Sequence, residues 1–210
     1  HEISPVISLK RKGDWVARTP KGQVTAPRVI LAVNGHLNSF GHMQGRLMHV
    51  FTYASMTRAL NADEVARLGG KPIWGLTPAD PMGTTVRRIS GIGGDRIVIR
   101  NRFTFDPKME VSARRIDHVG RDHDRAFAAR FPQLKSVEME HRWGGRLCLS
   151  RNGVQVISEL EPGLYSACCQ NGLGTAKGTL AGGLAADLSM GITSPALDRA
   201  LAADAPVRLP

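Results

Sequence analysis

The stretch CCQNGLGTAKGTLAGG, residues 168–183, sets five glycines between a strand-like segment (Leu164 to Cys168) and a segment from Thr175 onward, rich in Ala, Leu and Gly, that reads as a helix. Strand, glycine turn and helix in that order bring a ligand up to the free amides of a helix N-terminus. The partial positive charge there suits an oxygen that gains negative charge during a reaction. The spacing Gly172-x-Gly174-x-x-x-Gly178 is not the Gly-x-Gly-x-x-Gly of a pyrophosphate loop. On spacing alone a cofactor loop and a tight strand–helix turn weigh equally.

Other stretches carry less. Arg142-Trp143-Gly144-Gly145 could lay a flat indole against a ring with glycines giving backbone access, although a single Trp is more often a core residue. In SGIGGDR, Gly91, Gly93 and Gly94 precede a strand instead of a helix, so the segment reads as a hairpin turn. His118 and His123 fall on different faces of one helix and read, with His141, as solvated side chains; no metal site is expected. There is no Gly-x-Ser-x-Gly elbow and no Cys in a nucleophile setting. The chemistry of a site here has to come from something other than a protein nucleophile.

The elements that must position these residues follow from periodicity. Residues 4–35 read as three strands, around Val6 to Lys10, Trp15 to Thr19 and Val29 to Val33, the last an apolar run expected to be buried on both faces. Residues 36–47 read as a loop, Leu47 to Thr57 as a strand and Ala59 to Leu68 as a short helix stopped at Gly69-Gly70. A hairpin spans Thr84 to Ser90 and Arg96 to Phe105. An amphipathic helix runs from Asp117 to Pro132 with Val119, Phe127 and Ala128 inward. Residues 137–150 read as a strand broken at Gly144-Gly145, followed by two short strands joined at Glu161-Pro162-Gly163 and a helix from Thr175 to Leu188. One further short helix fits the tail beyond Gly191. The mixture is α/β, an α+β composite with two sheets.

Composition bounds the function classes. The 210 residues suffice for one large domain or two small ones, and 42% hydrophobic with 22% charged residues excludes a disordered chain. The net charge of +10 would suit an anionic partner, but the basic residues are dispersed (Lys10-Arg11-Lys12, Arg87-Arg88, Arg114-Arg115). Aromatics at 5% are thin for a base-stacking platform, so nucleic acid is not the expected partner. No apolar run is long enough to span a membrane. Three cysteines without CxxC spacing predict neither a disulfide framework nor a zinc site. With no signal peptide, a reducing, cytoplasmic setting is the expectation, and a chain opening at His1 without Met reads as a piece of a longer protein.

Three segments together resemble the C-terminal part of the FAD-dependent amine and amino-acid oxidoreductases of the D-amino-acid oxidase, glycine oxidase and sarcosine oxidase superfamily, on its γ-glutamylputrescine oxidoreductase-like branch. They are SPVISLKRKGDWVARTPKGQVTAPRVILAVNG, FPQLKSVEMEHRWGG and GLYSACCQNGLGTAKGTLAGGLAADLSMG, which cover nearly the whole chain in order. The resemblance implies a partial FAD-binding domain plus a mixed-sheet substrate domain of the D-amino-acid oxidase type. Residues 1–45 would be the remainder of the FAD-binding domain, 46–140 the substrate domain, and 141–210 the return to the FAD-binding domain. It implies that the family's Gly-x-Gly-x-x-Gly unit lies on a missing N-terminal half, which would be a partner of this chain, and that the fragment alone is inactive and holds FAD poorly.

Position by position, the resemblance assigns Val6 to the meander near the adenine, and Ala32 and Gly35 to the end of the strand near the cofactor. Gly172, Leu173, Gly174 and Thr175 match the loop facing the flavin pyrimidine edge, with Lys177 just inside the helix. Trp143 and Gly144 border the flavin and substrate cavity, and Tyr53 lies on a substrate-domain strand facing it. Leu173 stands where relatives usually carry His, and Cys169 where they carry Gly. Some relatives attach flavin through a Cys near Trp-Gly-Gly; Gly145 stands there and Cys148 is displaced, so noncovalent FAD is expected. The implied activity is hydride removal from the carbon next to an amine, on a small amine or amino-acid substrate. The alternative is a noncatalytic flavoprotein subunit or a basic binding module that keeps the fold without the chemistry.

Overall fold

Polar turns define the opening meander: Gly13 takes φ +75°, a conformation costly for other residues, between β1 (Ser8–Lys12) and β2 (Asp14–Thr19). A third strand, β3 (Gly22–Ala26), closes this antiparallel sheet, where sequence periodicity had suggested only a turn and a connection. The structure is a computed structural model that describes residues 1–80 and 83–210. Its chain divides into two compact units, His1–Met48 with Leu147–Pro210, and His49–Arg146. Among the described residues there are three sheets, one more than expected, and four α-helices, an α/β architecture.

The first unit centres on β11 (Leu164–Cys168), all five of whose residues are buried. It pairs antiparallel with β10 (Val156–Glu161) and parallel with β4 (Val29–Leu31). Leu164 and Cys168 face one core with Trp15, Leu31, Leu37 and Val156; Ala167, on the other side, packs on α3 (Gly174–Met190) and α4 (Pro195–Leu201) through Ala181, Leu184, Ala185 and Leu197. Small residues on α3 let the helix lie close to the strands. The strand buried on both faces is therefore β11. β4 is a three-residue edge strand with Ile30 38% exposed, because β11 is its only neighbour among the described residues. The expected loop after it contains a 3-10 helix, Asn34–Phe40. The β10–β11 turn needs Gly163: its φ is +77°, and a Cβ there would sit 2.7 Å from the Pro27 carbonyl oxygen.

The second unit holds most of a five-stranded sheet in the order β6-β7-β8-β5-β9: β6 (Trp74–Leu76), β7 (Thr85–Ile89), β8 (Arg96–Phe105), β5 (Met48–Thr57) and β9 (Met139–Leu149), with Met48 of β5 and the last three residues of β9 counted in the first unit. Strand β9 runs unbroken through Gly144-Gly145, because a strand tolerates glycine where neighbouring side chains fill the space. One sheet face is buried beneath α1 (Ala62–Leu68) and α2 (Ala113–Arg130). Val86, Ile97 and Ile99 meet Phe127, Phe131 and Leu134 there, the period-two alternation of a sheet covered on one side. Asn61 and Glu64 form a capping box on α1, and Arg58 grips Glu64 through two hydrogen bonds of 2.7 and 2.8 Å. That pairing holds the Glu64 carboxyl down at about 2.

Candidate functional site

Strands β4 and β11 run parallel, and ligands of open α/β sheets bind beyond the carboxyl ends of such strands. Just past these ends the chain turns through residues in the left-handed region: Asn34 at φ +49° after β4, and Cys169, Asn171 and Gly172 at +61°, +51° and +78° after β11. The two turns are joined, the Gln170 amide donating to Asn34 Oδ1 at 3.3 Å. Asn171 pins the second turn. Its Oδ1 accepts from the Ser150 amide (2.8 Å), and its Nδ2 donates to the carbonyls of Gly153, Val154 and Cys169 at 2.9–3.1 Å. Gln170 Oε1 is buried without a hydrogen-bond partner.

This pinned turn ends at the N-terminus of α3, which has no side-chain cap, whereas Asn61, Ser112 and Ser194 cap the other three helices. Leu173 (60% exposed), Gly172, Gly174 and Thr175 are exposed there, and no atom lies within 4 Å of a Cβ built on Gly172 or Gly174. Lys177 is half-buried one turn into the helix, its carbonyl accepting from Gln155 Nε2 at 3.2 Å. An open helix end with free backbone amides fits an electron-rich oxygen of a bound group. Ala32 lies exposed beyond β4 and Gly35 within the 3-10 helix. Val6, 43% exposed, lines a cavity of about 630 Å³ with Leu9, Trp15, Val33, His36 and Glu161. The meander and strand-end positions expected to meet a cofactor thus all lie in the first unit.

Tyr53, Trp143 and Gly144 belong to the second unit. Tyr53 is 1% exposed, packs with Phe51 and Val119 under α2, and shares a 2.6 Å hydrogen bond with Thr104 Oγ1. Gly144 is on that same helix-covered face, where a Cβ would lie 3.2 Å from Val111 and 3.6 Å from Tyr53. Trp143, one residue away, is turned to the uncovered face and is 41% exposed, so it is not a core residue. That face also carries Arg100, which donates to Thr85 Oγ1 (3.0 Å) and Thr52 Oγ1 (3.5 Å) and lies 5.5 Å from the Phe103 ring centroid. Among the described residues no carboxylate pairs with it.

His123 is 1% exposed, contrary to the solvated reading, because α2 turns it inward onto Ser55, whose hydroxyl lies 2.7 Å from Nδ1. Burial, with the nearby Arg142 guanidinium, pushes its imidazole down to about 4. All three cysteines are unpaired and at most 1% exposed. A hydrogen bond with Cys169 and burial push the Cys148 thiol up, and burial pushes Cys168 up, so neither presents a thiolate. Among the described residues no group of His, Cys, Asp or Glu could hold a metal ion, and no helix is long and apolar enough to cross a membrane. The sequence marks Asn34-Gly35 as a sharp turn or a close approach to a ligand, and Asn34 does turn there at φ +49°; Gln170, Asn171 and Arg100 were missed, the Asn171-Gly172 dipeptide being the pointer to the second turn.

Comparison with known proteins places the chain in a family. The profile of the FAD dependent oxidoreductase family matches residues 1–188. Gamma-glutamylputrescine oxidoreductase of Escherichia coli (strain K12) is 29% identical over 193 residues, 91% of this chain and 43% of that protein. Among solved structures, glycine oxidase from Geobacillus kaustophilus superposes with a TM-score of 0.66 at 19% identity, over 93% of this chain and 50% of that one. Fructosyl amine:oxygen oxidoreductase (Amadoriase I) from Aspergillus fumigatus gives 0.65 at 18%, over 93% and 47%. The chain spans about half the length of the relatives it matches. It belongs to the FAD dependent oxidoreductase family.

Proposed function

We propose that this chain supplies the flavin-ring and substrate contacts of an FAD-dependent oxidoreductase acting on an amine or amino acid, with FAD held noncovalently. Residues 1–45 and 141–210 would serve the cofactor, and 46–140 the substrate. One observation carries the reading: the turns after parallel strands β4 and β11 are tied together by Gln170 and Asn34 and lead into the uncapped N-terminus of α3. The amides of Gly174 and Thr175 would hold an electron-rich edge of the flavin, and Gly172 leaves space for it. Bound FAD would supply the acceptor for a hydride, and with it two electrons, from the carbon bearing the amine. The chain's own part is to orient that ring, exclude water and favour negative charge near the helix end. On the open face of the five-stranded sheet, Trp143 offers aromatic surface and Arg100 a guanidinium suited to a substrate carboxylate.

The Gly-x-Gly-x-x-Gly unit that binds pyrophosphate is not in this sequence, so the reading includes a further part of the enzyme as partner. Amine chemistry is supported by the likeness to a gamma-glutamylputrescine oxidoreductase and a fructosyl amine:oxygen oxidoreductase. The test is anaerobic addition of amines and amino acids to FAD-loaded protein joined to a family N-terminal half, following the flavin's visible absorbance. Bleaching supports the reading. A protein that never retains flavin, yet binds DNA in a salt-sensitive way, would favour the basic binding module instead.

A further inference from the structure

The second unit holds a concave, strongly basic site on the outer side of α2. A groove of about 510 Å³ is lined by Arg102, Arg114, Arg115, His118 and Arg121, with Ser112, Thr104 and Val119 completing it. Arg114, His118 and Arg121 recur at helical spacing along one stripe of α2, and Arg115 flanks them.

Nearby acids neutralise it only in part, at Arg102. Asp122 is shared between Arg102 and Arg125, Thr104 donates to Asp106, and Asp124 is taken up by Arg142. Arg121 approaches His118 Nδ1 at 3.3 Å. The guanidinium groups of Arg114 and Arg115 make no hydrogen bond or ion pair among the described residues.

The strand side of the groove points the same way. The β5–β8 register shifts between Thr52, opposite Phe103, and Tyr53, opposite Asn101, leaving Arg102 as the extra residue of a bulge. Arg102 takes φ +65°, a conformation costing a non-glycine residue roughly 1 kcal/mol. Bulges re-aim side chains, and this one brings Arg102 beside the helix stripe. No Phe, Tyr or Trp lines the groove, so recognition there rests on charge and guanidinium geometry.

We propose that this groove, built wholly from residues of the second unit, binds a multiply charged phosphate anion, for which inorganic pyrophosphate, with acceptor oxygens on two phosphoryl groups for several guanidinium forks, is the probe. It is independent of the flavin reading and uses none of its residues.

Calorimetric titration of the chain with sodium pyrophosphate tests it. One equivalent is expected to bind, with affinity falling linearly against salt on logarithmic axes. R114Q/R115Q is expected to weaken binding about tenfold or more, as loss of charge-assisted hydrogen bonds requires. R115Q alone gives an intermediate loss, a second readout should the double variant fold poorly. R87Q, a basic residue outside the groove, is expected to bind as wild type. ADP is expected to bind no more tightly than pyrophosphate, since the groove has no Phe, Tyr or Trp to stack on a base. No binding by wild type, unaltered affinity in R114Q/R115Q, or an equal loss in R87Q overturns the proposal. ADP binding tenfold tighter than pyrophosphate overturns it too.

Discussion

Asn171 Oδ1 accepts the Ser150 amide at 2.8 Å while its Nδ2 reaches three carbonyls, so one side chain fixes the turn ahead of α3. Asn also tolerates the left-handed φ of +51° found there. Asn171→Ala strands the Ser150 amide and the Cys169 carbonyl, while Val154 keeps its bond from Ser150 Oγ and Gly153 is exposed to water, and is expected to lower unfolding free energy by about 2–3 kcal/mol. Asn171→Gly relieves the backbone without restoring the bonds and should recover only part. Urea unfolding of the three proteins measures this; equal stability of Asn171→Ala and wild type would refute the pinning role.

His123 makes stability depend on pH. In the unfolded chain its imidazole takes a proton near 6.5, but in the fold near 4, so between those values the unfolded state holds more protons. Stability is therefore full above about pH 6.5 and falls as the pH drops toward 4. From pH 7 to 5 the loss is about 2 kcal/mol from this group. His123→Gln should flatten that part of the urea-midpoint profile, whatever its effect on stability at pH 7.

Gly120 sits under the Arg142 guanidinium: a Cβ there would be 2.4 Å from Nη1. Gly120→Ala should swing the Arg142 side chain away, giving up its bonds to Asp124 (2.8 and 2.9 Å) and Ser55 (3.4 Å). Without that positive neighbour the His123 imidazole should titrate above about 4, while its burial keeps it below 6.5. An NMR titration of the imidazole in Gly120→Ala and wild type checks the shift.

Thr175→Asp separates stability from ligand binding. A carboxylate in the first turn of α3 complements the helix dipole and should stabilise the chain by about 0.3–1 kcal/mol. The same charge opposes an electron-rich flavin edge, so FAD affinity in the reconstituted enzyme should fall several-fold. A higher thermal midpoint with unchanged FAD affinity would remove the flavin from that helix end.

Much of the fold was written in short-range patterns. The hairpin of β7 and β8, the β10–β11 turn at Glu161-Pro162-Gly163 and the span of α3 all follow from alternation, turn residues or helical composition. What escaped depends on partners distant in sequence. Val29–Leu31 looks like a central strand, yet which strand has neighbours on both sides is decided by pairing, and β11 took that place. Helix α2 begins at Ala113, four residues before the expected start, because Ser112 caps it. His123 was misjudged because its side is set by the whole stripe of Val119 and Phe127. At the site, glycines 172 and 174 announced an open helix end, whereas the Asn34–Gln170 tie joins residues 136 apart and left no local trace.

The three cysteines have an experimental use. Cys148, Cys168 and Cys169 all lie in the first unit, fully enclosed, and the second unit contains none. A thiol reagent is therefore blind to the second unit and can modify the first only when its core opens. The labelling rate of the wild-type chain becomes a clock for openings of the half that carries the proposed flavin contacts, and FAD should slow it if that half is where it binds.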